Sequence, residues 1–72
     1  MSSFPERLKE LRKNANLSQK ALSESVKMSE TGIQNYELKK RKPTAEAVVT
    51  LADYFDVSTD YLLGRSDNPT RH

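Results

Sequence analysis

Glu30, Thr31, Gln34 and Asn35 are the residues whose types and spacing best suit recognition chemistry. Each amide offers a donor and an acceptor that match the N6 and N7 edge of adenine. Threonine bonds to a base or touches a thymine methyl, and glutamate accepts from cytosine N4. Glutamate also repels phosphate, which weakens the case for Glu30. At about 100° per residue, Thr31, Gln34, Asn35 and Leu38 share one side of a helix, with Glu30 on its flank. Ile33 and Tyr36 occupy the opposite side. From the residues alone, two accounts stand side by side: a base-reading face, or the solvated face of a short helix.

Cations follow directly in the run Lys39, Lys40, Arg41, Lys42. Alone, such a run is usually a solvated loop. Beside a base-reading helix it would lie along one phosphate backbone. Ser18, Gln19 and Lys20 open another helix, and helix N-termini bind anions through free backbone N–H groups. Ser29 has the same double reading, as helix cap and as phosphate ligand. Gly32 costs about 1 kcal/mol inside a helix relative to alanine. Either a phosphate or sugar approaches there, or that edge tolerates a weak helix former. Arg7, Lys9 and Lys13 are weaker candidates for phosphate.

Five short helices must position these groups. Ser3 and Glu6 form a capping-box start with Pro5 in the first turn. Phe4, Leu8, Leu11 and Ala15 then recur at helical spacing, and Asn14 and Asn16 end the segment. Ser18 caps a second helix with Ala21, Leu22 and Val26 inside. A tight turn at Lys27 and Met28 leads to Ser29, the cap of the third. Thr44 caps a fourth helix, with Ala45, Val48, Leu51, Ala52 and Phe55 inward. Val57 packs in a turn. Ser58 caps a last helix carrying Tyr61, Leu62 and Leu63, closed by Gly64. Residues 1–64 therefore read as one domain, and residues 65–72 as a polar tail that frays.

Composition narrows the function classes. The chain has 72 residues, no cysteine, and a single histidine, His72. Disulfide scaffolds, zinc fingers and cysteine nucleophiles are excluded, and no metal or cofactor is expected. No Gly-rich phosphate loop is present, and the carboxylates Asp53, Asp56 and Asp60 are scattered, so catalysis finds little support. No apolar stretch follows the start, and no run approaches the ~18 residues of a membrane span, which points to the cytoplasm. The net charge of +2 divides unevenly, with +5 over residues 1–43 and −3 over residues 44–72. That asymmetry suits nucleic-acid contact through the first part or simply a mixed-charge surface.

Leu17-Ser18-Gln19, Leu22, Val26, Ser29, Ile33 and Glu37 stand where the lambda repressor-like (Cro/Xre-type) helix-turn-helix family places its signature residues. Lys42-Pro43, Leu51-Ala52, Val57-Ser58, Asp60 and Leu62-Leu63 continue the pattern. The chain resembles that family over roughly residues 4–64. The resemblance implies an all-α fold of five helices with the helix-turn-helix in helices 2 and 3. It implies that Gln19 binds a DNA phosphate and braces a base-reading side chain. It also implies that Arg12 pairs with Glu37 to orient the third helix, a structural role. Three positions depart from the family pattern. Ser23 replaces a common alanine, and Lys27 and Lys39 stand where glycine is common. Those lysines must either accept left-handed geometry at roughly 1 kcal/mol or more, or mark a different backbone.

These readings together describe a regulator of transcription, a repressor in particular, that binds double-stranded DNA at a palindromic operator. The alternative is a protein-interaction module, such as an antitoxin or co-regulator, using the acidic part after residue 44. A homodimer would have to use the domain itself. Val57, Thr59 and Leu63 form the expected isologous patch, or else Leu63 covers the bottom of the core.

Overall fold

A computed structural model describes residues 3–71. Met1, Ser2 and His72, at the ends of the expected domain and tail, lie outside the described residues. Five helices follow in chain order: α1 (Phe4–Asn14), α2 (Gln19–Val26), α3 (Glu30–Glu37), α4 (Ala45–Phe55) and α5 (Thr59–Leu62). The expected all-α, five-helix architecture is borne out.

The helix starts follow from their caps. Ser18, Ser29, Thr44 and Ser58 have extended backbones, and their side-chain oxygens accept from the N–H of Ala21, Gly32, Ala47 and Tyr61 at 2.9–3.1 Å. Each bond satisfies a donor that the first helical turn leaves open. At α1, Glu6 Oε1 accepts instead from the Ser3 hydroxyl at 2.9 Å and from the Ser3 N–H at 3.4 Å. Those bonds hold the Glu6 carboxyl below its usual pKa range.

The helix ends share a single device. The N–H groups of Leu17, Met28, Lys40, Val57 and Arg65 reach back five residues to the carbonyls of Arg12, Ser23, Asn35, Ala52 and Asp60, at 2.8–3.1 Å. In each case the preceding residue is left-handed: Asn16, Lys27, Lys39, Asp56 and Gly64. This is the Schellman arrangement, which favours glycine, yet only the last of the five is one. Lys27 and Lys39 therefore accept the left-handed conformation, at φ 57° and 63°.

Phe4, Leu8, Leu22, Val26, Ile33, Tyr36, Val48, Leu51, Ala52 and Leu62 meet in one core. The ring of Phe4 meets Tyr36 edge-on, with centroids 5.7 Å apart, joining α1 to α3. Ser23 is buried at the α2 site where alanine is common in the resembled family, and its hydroxyl donates to the Lys20 carbonyl at 2.7 Å.

Several expectations are corrected. Ala45, expected inward on α4, is exposed at its first position. Ala15 does not extend the inner stripe of α1: the helix has already ended, and Ala15 is its exposed C-cap. Val57 is not part of an open dimer patch, because it is buried in the core. Over its described residues, 65–71, the tail is packed against the domain. Arg7 donates to Asp67 at 2.7 Å, the Ser58 N–H donates to the Pro69 carbonyl at 3.0 Å, and Arg71 pairs with Asp53. The tail thus lies back across α1, α4 and the start of α5.

Arg7 holds the largest surprise. Its charge predicts a surface cation, but its side chain is only 6% exposed. Its guanidinium stacks on the Tyr61 ring, 3.9 Å from the centroid, and Nη1 is buried with no partner among the described residues. Arg7 is three residues after Phe4 and four before Leu11, so its position lies on the inner stripe. Only its charge hid this in the sequence.

Candidate nucleic-acid interface

Residue identity at the interface depends first on how α3 is held. Ser29 caps it, and Ile33 and Tyr36 bury one side. That leaves Glu30, Thr31 and Gln34 exposed and Asn35 partly exposed, as the spacing predicts. The last residue, Glu37, is fixed from behind. Its two carboxylate oxygens accept from Nε and Nη2 of Arg12 at 2.7 and 3.0 Å. Arg12 Nη1 also donates to the Leu17 carbonyl at 2.8 Å. The side chains are 11% and 3% exposed, so this bidentate pair is largely removed from solvent. The hydrogen bonds to Glu37 push the Arg12 pKa up, against the opposing effect of burial.

Gln19 joins the same network. Its Nε2 donates to Glu37 Oε1 at 3.2 Å, and the residue is partly buried. That bond uses one of the two amide N–H groups. Beside Gln19, Ser18 and Lys20 are exposed. The start of α2 and the end of α3 are thus tied together by one buried carboxylate.

Lys39, Lys40, Arg41 and Lys42 are all exposed. Lys39, Arg41, Lys42 and Pro43 form one wall of a groove whose other wall is Ser3, Phe4 and Pro5. The cationic loop therefore runs from the end of α3 past the start of α1.

Gly32 is half-buried, and a Cβ there would meet Ser29 Oγ at 2.9 Å. The cap alone does not require glycine. Ala21, Ala47 and Tyr61 hold the same position after Ser18, Thr44 and Ser58, and each carries a Cβ. At α3 the approach is tighter, and a Cβ would push aside the Ser29 hydroxyl that caps the helix, so glycine also suits the cap.

Of the expected dimer residues, Thr59 and Leu63 remain at the surface and Val57 does not. Tyr61 is half-buried under Arg7, which leaves Leu63 as the outward member of the last turn. Among the described residues, no group of three or more His, Cys, Asp or Glu could hold a metal ion, and no helix is long and apolar enough to cross a membrane.

Comparison with known proteins places this geometry. The helix-turn-helix domain family matches residues 6–67. The chain is similar to the uncharacterized HTH-type transcriptional regulator YobD of Bacillus subtilis, with 38% identity over 92% of this chain and 59% of YobD. It is similar to the HTH-type transcriptional regulator ImmR of the same organism, with 37% identity over 90% of this chain and 51% of ImmR. The chain thus spans between half and three-fifths of those relatives. Its fold is also similar to the P22 c2 repressor protein, solved in complex with a synthetic operator. The TM-score is 0.83 and the identity 29%, over 92% of this chain and all of that one.

Proposed function

The chain belongs to the helix-turn-helix domain family of lambda repressor-like, Cro/Xre-type regulators, and from that premise we propose that it binds double-stranded DNA sequence-specifically and represses transcription. In this reading α3 enters the major groove. Thr31, Gln34 and Asn35 meet base edges, with Glu30 at the margin. Ser18, Gln19, Lys20, Ser29 and the run Lys39 to Lys42 meet phosphates, and Gly32 admits the backbone where a side chain would obstruct it.

One observation carries the reading most. The buried Arg12–Glu37 pair fixes the end of α3, and Gln19 ties the start of α2 to it. Polar base-reading groups are thereby presented on a rigid support, which recognition requires. The fold likeness to an operator-bound repressor supports repression as the output, since a small domain seated on an operator obstructs polymerase without further machinery.

Readers of this kind work as dimers on half-sites roughly 34 Å apart. The proposed operator is therefore palindromic and the protein a homodimer in the cytoplasm, with Thr59 and Leu63 in the contact between copies. Salt dependence tests the phosphate part of the reading. Contact with 6–10 phosphates makes affinity fall about 10³–10⁵-fold between 50 and 200 mM salt. Absence of binding to DNA of any sequence at low salt would overturn it.

A further inference from the structure

Leu38 is the most exposed large apolar side chain among the described residues, at 54%. It follows Gln34 by four positions and Asn35 by three, so it continues the same stripe of α3. Its backbone is well held. The Leu38 N–H donates to the Gln34 carbonyl at 2.9 Å, and the next two N–H groups close the helix end on Tyr36 and Asn35. Glu37, just before it, is fixed by Arg12. The leucine is therefore presented at a set place, not on a loose loop.

Its chain neighbours argue for what covers it. Lys39 and Lys40 follow immediately, and Gln34 and Asn35 precede it on the stripe. The other exposed apolar side chains, Val49, Tyr54 and Leu63, belong to α4 and to the end of α5. A lone leucine between amides and lysines makes a poor anchor for a protein partner. It does match the major-groove edge, where the thymine C5-methyl is the one apolar group on an otherwise polar surface. We infer that Leu38 is a specificity-determining residue that covers a thymine methyl in each half-site. The inference rests on the proposed reading of DNA by α3. It adds to that reading an apolar contact one turn beyond Gln34, about 6 Å along the helix axis.

The test removes the methyl from the DNA and the side chain from the protein. Sites are first selected from a random DNA pool with the unaltered chain. Each thymine of the selected site is then replaced singly by deoxyuracil, and binding is measured for the chain and for Leu38→Ala. Leu38 is exposed, and the Tm of Leu38→Ala checks that the variant folds. One deoxyuracil position should weaken the unaltered chain about fourfold, the value of one buried carbon at ~0.8 kcal/mol. The same replacement should leave Leu38→Ala unaffected. If Leu38→Ala weakens all sites equally, the leucine covers deoxyribose and the inference is overturned. If no thymine shows coupling, it is overturned as well. Failure of the unaltered chain to bind any DNA overturns the proposed function and this inference together, whereas specific binding without coupling overturns this inference alone.

Discussion

Gln19 donates its side-chain N–H to Glu37 at 3.2 Å, so the first residue of α2 and the last of α3 share one carboxylate. That carboxylate is already held by Nε and Nη2 of Arg12. Gln19, proposed to meet phosphate, and α3, proposed to read bases, are therefore coupled through one buried carboxylate.

The coupling predicts a large stability effect. Breaking a buried ion pair from one side typically costs about 3–5 kcal/mol, because the other charge stays buried. Arg12→Met or Glu37→Met should each lose that much in urea denaturation. For a domain of this size, total stability is on the order of 4–11 kcal/mol, so either variant would be close to unfolding at 37 °C. The double variant should recover much of the loss, since no orphan charge remains. Single variants that lose less than about 1 kcal/mol would show that the pair is not structural.

The left-handed lysines separate stability from binding. Lys27 and Lys39 end α2 and α3 in a conformation that disfavours side chains. Replacing either with glycine should stabilise the fold by about 1 kcal/mol, or roughly 4–8 °C in Tm. Only Lys39→Gly should weaken DNA binding, lowering the salt slope by about 0.9. Equal binding by the two variants would remove Lys39 from the phosphate set.

Arg7 is predicted to act as a packing residue more than as a charge. Arg7→Met keeps the volume against Tyr61 and removes a buried, unpaired Nη1. An unmade buried donor costs about 1–3 kcal/mol, which offsets the lost stacking and the bond to the exposed Asp67. Arg7→Met should therefore stay within about 1 kcal/mol of the parent, and Arg7→Ala should lose about 2 kcal/mol or more. Similar losses for both would show that the charge itself holds the tail.

Acid should expose the role of Glu6. Its folded pKa is depressed by the bonds from Ser3. Its contribution is then present above the unfolded value of about 4.3 and lost as pH falls through the folded one. Glu6→Gln should be less stable than the parent at pH 7, and the gap in Tm should close as pH falls below that range. A gap that stays constant with pH would contradict the assignment.

Most of the fold is visible in local patterns. Ser18, Ser29, Thr44 and Ser58 each announce a helix whose third residue they cap, and Ile33 with Tyr36 defines which side of α3 is free. The same local patterns miss what depends on distant partners. Arg7 reads as a weak phosphate candidate because its charge argues for the surface and its partner Asp67 lies 60 residues away. Ala15 has the right spacing but falls after the helix end, which backbone geometry decides. Val57 reads both as packed in a turn and as part of a surface patch, and only the folded chain, which turns inward after Asp56, decides for burial. In the candidate interface, exposure of Thr31 and Gln34 follows from periodicity, whereas the bond from Gln19 to Glu37 needed the folded chain.

The central claim is that α3 reads bases while the loop after it grips the backbone. Selection from a random DNA pool with the unaltered chain, Gln34→Ala and Lys40→Ala tests it most directly. The unaltered chain should select a palindromic site. Gln34→Ala should select different bases at fixed positions in each half-site. Lys40→Ala should keep the same site, bind all sequences more weakly, and lower the salt slope by about 1. An unchanged site for Gln34→Ala together with altered bases for Lys40→Ala would contradict it.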